Sequence, residues 1–89
     1  MDAHVLIRGR VQGVGFRWFV RDSAQKLGVA GWVKNHADGS VEVAARGDDT
    51  AIASLRAALQ VGPPGGFVAS IEELEPDTND LPIHFVIRR

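Results

Sequence analysis

The sequence predicts an α+β fold, one antiparallel sheet with two helices on a single face. Three observations predict it. Short runs alternating with period two recur along the chain, two amphipathic helical patterns interrupt them, and glycine- or proline-rich turns separate the pieces. Eighty-nine residues, 45% hydrophobic and 24% charged, suit one globular domain over residues 1–89. A core in so short a chain is modest, because only about 60–65% of the unfolded surface is buried.

The first run, residues 3–11, puts Ala3, Val5, Ile7 and Val11 on one face and His4, Arg8 and Arg10 on the other, with Leu6 the exception. A strand buried on one side follows. After the glycine-rich bend at 12–15, Phe16, Val20, Ala24 and Leu27 recur at helical spacing beside a polar row of Arg17, Arg21 and Gln25. Gly28 is placed to close that helix. Residues 29–35 read as a second strand and 40–46 as a third, with Asp38-Gly39 supplying a hairpin turn between them. Gly47-Asp48-Asp49-Thr50 offers cap side chains to a second helix whose stripe is Ile52, Leu55 and Leu59. "GPPGG" at 62–66 terminates it. Residues 67–74 read as a fourth strand, "EPDTND" as a polar loop, and Ile83, Phe85 and Ile87 as a last strand with His84 on its polar face. The order is βαββαβ plus a short C-terminal edge strand. Its first six elements are two βαβ units in tandem, a ferredoxin-like sandwich.

Composition narrows the chemistry. No cysteine is present, which excludes disulfides, thiolate metal sites and a cysteine nucleophile and fits a reducing cytoplasm. A net charge of -1 lacks the basic surplus of a phosphate-neutralising nucleic-acid binder. No apolar run approaches the roughly 20 residues of a membrane span. "MDAHVLIRGR" reads directly as a strand, so no signal peptide is expected.

Topology brings distant residues together. The first and second strands of a βαβ unit run the same way, so Val11 and Asn35 end at one edge of the sheet. The third strand lies between them in this fold, a separation of roughly 10 Å. Asn35 is in phase with Val29 and Val33, on the buried side of its strand, where an amide needs a partner. Protein, water or ligand would each serve.

The bend itself admits two readings. Successive N–H groups from Gln12 to Phe16, entering a helix N-terminus, can converge on an anion, and Arg17 can add a bidentate grip on phosphate or carboxylate. A cation there is mildly unfavourable against the helix dipole, and an anion would relieve that. Equally, the glycines can simply build a tight strand-to-helix connection. Spacing alone leaves both open. Gly13-x-Gly15-x-x-Trp18 lacks the third glycine of a dinucleotide fingerprint and no Gly-Lys-Ser/Thr is present, so dinucleotide and Walker loops are excluded.

Other candidates are weaker. His4, His36 and His84 lack metal-ligand spacing, and hydrogen-bonded or surface roles are expected. Asp48 and Asp49 read as caps, Asp77 and Asp80 as loop residues. Ser23, Ser40, Ser54 and Ser70 have no histidine–carboxylate partners at recognisable spacing. On the first and third strands the polar face shows His4, Leu6, Arg8 and Arg10 beside Glu42, Ala44 and Arg46, a poor platform for stacking bases.

"GRVQGVGFR" at 9–17 and "GWVKNHADGSVE" at 31–42 resemble the two signature segments of acylphosphatases, small enzymes that hydrolyse carboxylic–phosphoric anhydrides. "GPP" at 62–64 and the closing "FVIRR" are similar too, so the resemblance spans nearly the whole chain. It implies a ferredoxin-like fold and a free-standing hydrolase that uses neither metal nor other cofactor. By position, Arg17 would bind the substrate phosphate, Asn35 would orient the attacking water, and the backbone of Gln12, Gly13, Val14, Gly15, Phe16 and Arg17 would form the phosphate cradle. The implied partners are a small-molecule acyl phosphate and, as product or inhibitor, inorganic phosphate or another anion. Neither nucleic acid nor membrane is expected as a partner, and a monomer is. In the family the bound phosphate takes the water's proton, which would explain the absence of a histidine or carboxylate base. Two glycines follow the prolines in "PPGGFV", outside the motif. Other classes stay in view: a non-catalytic anion-binding module with the same cradle, an RNA-binding sheet, and a domain serving a larger assembly, since similar domains occur fused to carbamoyl-transfer machinery. The length of the chain favours a free-standing protein.

Overall fold

Two helices pack on one face of a five-stranded sheet in the order β1 (Asp2–Arg10), α1 (Phe16–Leu27), β2 (Ala30–Asn35), β3 (Val41–Arg46), α2 (Asp49–Val61), β4 (Phe67–Glu73) and β5 (Val86–Arg88). The computed structural model describes residues 1–76 and 81–88. Asp77 and Asp80, in the polar loop, and the terminal Arg89 lie outside the described residues. Spatial strand order is β4-β1-β3-β2-β5. β3 pairs antiparallel with both β1 and β2, which therefore point the same way with β3 between them. The ferredoxin-like arrangement read from the sequence is the arrangement of the molecule.

Alternation sets the core. Ala3, Val5 and Ile7 of β1, Val33 of β2 and Val41, Val43 and Ala45 of β3 point to the helical side and are buried. Phe16, Val20 and Ala24 of α1 and Ala51, Ile52, Leu55 and Leu59 of α2 close over them, while Leu27 packs at the margin. Each large side chain buried here contributes about 1.5–3 kcal/mol relative to exposure. Apolar burial on one face is what fixes the register, since a one-residue slip would turn every valine outward. Leu6, the apolar residue on the other face, is half-buried opposite Glu42 and Glu72.

The last strand differs from expectation. Only residues 86–88 pair, parallel to β2 through Trp32↔Val86, Val33↔Ile87 and Lys34↔Arg88, so the sheet is mixed at that edge. The Gly31 N–H donates to the Pro82 carbonyl at 3.0 Å. Pro82 has no N–H to continue a ladder. The chain bends at Ile83 and His84, leaving Ile83 85% exposed while Phe85 drops to 1% exposure in the core. His84 is thus a bend residue, and Ile83 and Phe85 do not share a strand face. The Gln25 side chain of α1 donates to the Phe85 carbonyl and helps hold this turn.

The face away from the helices is not bare. Trp32 is buried there, with His4 edge-on at a centroid distance of 6.1 Å and the Arg88 guanidinium 4.9 Å from its ring centre. Its indole is already packed, so it offers no free stacking surface.

Candidate active site

β1 hands the chain to a bend whose shape depends on two glycines. Gly13 and Gly15 have φ of 75° and 76°, in the left-handed region. A Cβ at either would meet no protein atom within 4 Å, so the backbone conformation, not crowding by the rest of the protein, demands glycine. Gly15 is also the N-cap of α1. It supplies no side-chain cap, and no acidic residue lies in the first turn. α2 is treated in the opposite way: Asp48 accepts from the Ala51 N–H at 2.8 Å and Asp49 stands in the first turn. Of the two helix N-termini, only that of α1 is left to find an acceptor elsewhere.

A cavity of about 180 Å³ opens at that N-terminus, lined by Val11, Gln12, Gly13, Gly15, Phe16, Arg17, Trp18 and Asn35. The two signature stretches meet here because β1 and β2 end at the same edge. Val14 does not line the cavity and packs against the core instead. Among the described residues Arg17 has neither a carboxylate partner nor any other ion pair. Asn35 is half-buried, and its Oδ1 is enclosed without a hydrogen-bond partner. A buried acceptor left unmatched costs about 1–3 kcal/mol.

The bend and the β2–β3 turn are tied together by one side chain. Gln12 Nε2 donates to the carbonyls of His36 at 2.7 Å and Ser40 at 2.9 Å. Within the turn, the Ser40 N–H and hydroxyl both donate to Asp38 Oδ1, which holds that carboxyl below its usual range. Behind the turn, Glu42 accepts from His4 Nε2 through Oε2 and from His36 Nε2 at 2.6 Å through Oε1. Burial pushes the Glu42 carboxyl upward, but the hydrogen bonds from His4 and His36 outweigh it, and the net shift is downward. His4 Nδ1 lies 2.6 Å from the Glu75 carbonyl. The histidines at 4 and 36 are therefore hydrogen-bonded. Among the described residues no group of three or more histidines and carboxylates is placed to hold a metal ion.

Chemically, the cavity presents an unpaired guanidinium, uncapped N–H groups and one unmatched amide oxygen. The acylphosphatase family model matches residues 3–87. This chain belongs to the acylphosphatase family. It is 47% identical over 83 residues to an acylphosphatase of Rhizobium etli, covering 93% of this chain and 88% of the relative. The crystal structure of an acylphosphatase from Bacillus subtilis superposes with a TM-score of 0.91 at 40% identity, covering 99% of this chain and 98% of that one. The whole chain also matches 12% of the HypF chain of T. kodakarensis, with a TM-score of 0.86 at 31% identity.

Three features of this acylphosphatase-family site were not read from sequence. The Gln12 side-chain tie leaves no mark in spacing. Glu42 and His4 sit diagonally on the open face of paired strands, a signal that strand pairing could have given once the register was known. The stacking of Arg21 on Trp18, with the guanidinium carbon 4.2 Å from the ring centre, was hidden because Arg21 reads only as a solvated polar row.

Proposed function

We propose that this chain is an acylphosphatase whose chemistry runs through Arg17, Asn35 and the backbone of residues 12–17. The substrate is an acyl phosphate, and water attacks phosphorus. The bond from phosphorus to the acyl oxygen breaks, a carboxylate leaves with its electron pair, and inorganic phosphate forms. A carboxylate leaves readily, so the reaction needs positioning and charge stabilisation more than a strong general acid. Arg17 grips the phosphoryl oxygens, the bend N–H groups and the α1 N-terminus share their charge, and the proton of the attacking water passes to a phosphoryl oxygen.

The observation that carries this reading is the buried, unpartnered Oδ1 of Asn35, a residue that lines the same cavity as Arg17. An amide oxygen in that position can accept from a water and aim its lone pair. Hydrolysis of benzoyl phosphate, measured with a chelator present, tests it. Arg17→Ala is expected to lower kcat/KM by about 1,000-fold or more, and Asn35→Ala by about 100-fold, with circular dichroism unchanged. Wild-type turnover no faster than either variant would sink the assignment. Protection by inorganic phosphate in a thermal melt without any turnover would favour an anion-binding module instead.

A further inference from the structure

A second, larger cavity of about 670 Å³ adjoins the first, and Arg17 and Trp18 line both. Its remaining wall is Arg21 and Gln25 of α1 and the segment from His84 into β5. Among the described residues no acidic side chain lines it. Arg21 is the unusual group. Its guanidinium stacks on Trp18, and its Nε is buried with no hydrogen-bond partner. The remaining contact, from a terminal nitrogen to Asp22 Oδ1 at 3.3 Å, involves a carboxylate that is 59% exposed. Such an ion pair is screened by solvent and contributes little. A half-buried guanidinium on the cavity wall, held by so weak a pair, suits an anionic acceptor arriving from the cavity at its terminal nitrogens.

From these features we infer that the cavity receives the acyl group, and that Arg21 binds a second carboxylate carried by it. The preferred substrates are then monoacyl phosphates of dicarboxylic acids. This rests on the acyl phosphate reading of the neighbouring site. Arg17 and Arg21 lie four residues apart on α1, a rise of about 6 Å. With the phosphate on Arg17, a four-carbon diacid chain spans about one helical turn and brings its distal carboxylate to Arg21. Trp18 lines the cavity alongside both arginines and borders the path of the methylenes.

Succinyl phosphate and butyryl phosphate differ by that distal carboxylate on similar chains, so their kcat/KM ratio isolates it. The wild type is expected to favour succinyl phosphate by about tenfold or more, the worth of one charge-assisted hydrogen bond. Arg21→Gln should remove the preference while butyryl phosphate stays within about twofold. Arg21→Met, which keeps a long unbranched side chain and removes the guanidinium, gives the same reading should the glutamine variant not fold. A wild type without preference, an unchanged ratio, or equal losses on both substrates overturns the subsite and leaves the hydrolase intact. If the wild type turns over neither compound, the acyl phosphate reading itself fails.

Discussion

Asn35 carries an acceptor that the fold buries and does not satisfy. In a residue kept for stability that would be a defect, because desolvating an amide oxygen without a partner costs about 1–3 kcal/mol. Replacing it with alanine removes the orphan and, on the mechanism proposed above, the acceptor that orients the water. Asn35→Ala is therefore expected to unfold at an equal or higher urea concentration than the wild type, with a gain of up to about 1 kcal/mol, while activity falls as stated above. A stability loss above about 1 kcal/mol would mean that the carboxamide is held by the fold and is not waiting for a ligand. Gln12 is the contrasting case, its amide donating twice to the β2–β3 turn. The two amides look alike in sequence, and only their surroundings separate them.

At the scale of elements, the two helix starts are built in opposite ways. α2 is closed by the Asp48 side chain, whereas α1 begins on a left-handed glycine with no cap. Asp48→Ala should cost about 1 kcal/mol in denaturant unfolding and leave kcat/KM for benzoyl phosphate unchanged. A matching loss of activity would show that the α2 start is coupled to the site. Both helices and the first four strands were legible because apolar periodicity, Leu6 apart, and glycine- or proline-rich turns mark them out, and β-α-β geometry then placed Asn35 and the bend at one edge. The C-terminal strand was misread for a local reason. Ile83, Phe85 and Ile87 alternate in sequence, but a bend at Ile83 and His84 turns Phe85 inward and Ile83 out, and only three residues pair. Parallel addition to β2 cannot be seen in a period-two pattern, which is blind to direction. The surroundings of Arg17 were visible in sequence through topology, whereas the Trp18–Arg21 stack needed coordinates, because residues on a helical polar row carry no sign of what they face.

Across the whole molecule, the sheet separates an apolar helical side from an open face held by polar contacts. Glu42 is central to that face, joining His4 of β1 to His36 beside the site turn, with Lys34 of β2 and Leu6 of β1 opposite it in register. The sign of its pH dependence follows from the net downward shift of its carboxyl. As pH falls, the unfolded chain takes up the proton first, near the ordinary glutamate value of 4.5. The contribution of Glu42 to stability is therefore complete above that pH and is lost as pH falls through the lower folded value. Glu42→Gln should be less stable at pH 7 by about 1–2 kcal/mol, and the gap to wild type should narrow between about pH 5 and pH 3. Urea unfolding across that range checks it. A constant gap would show that Glu42 acts through packing and not through its charge. Because Gln12 and Glu42 hold the same β2–β3 turn from two sides, acid should loosen that turn before the apolar side gives way. Hydrolysis of benzoyl phosphate should then decline at a higher pH than the global unfolding of the sheet.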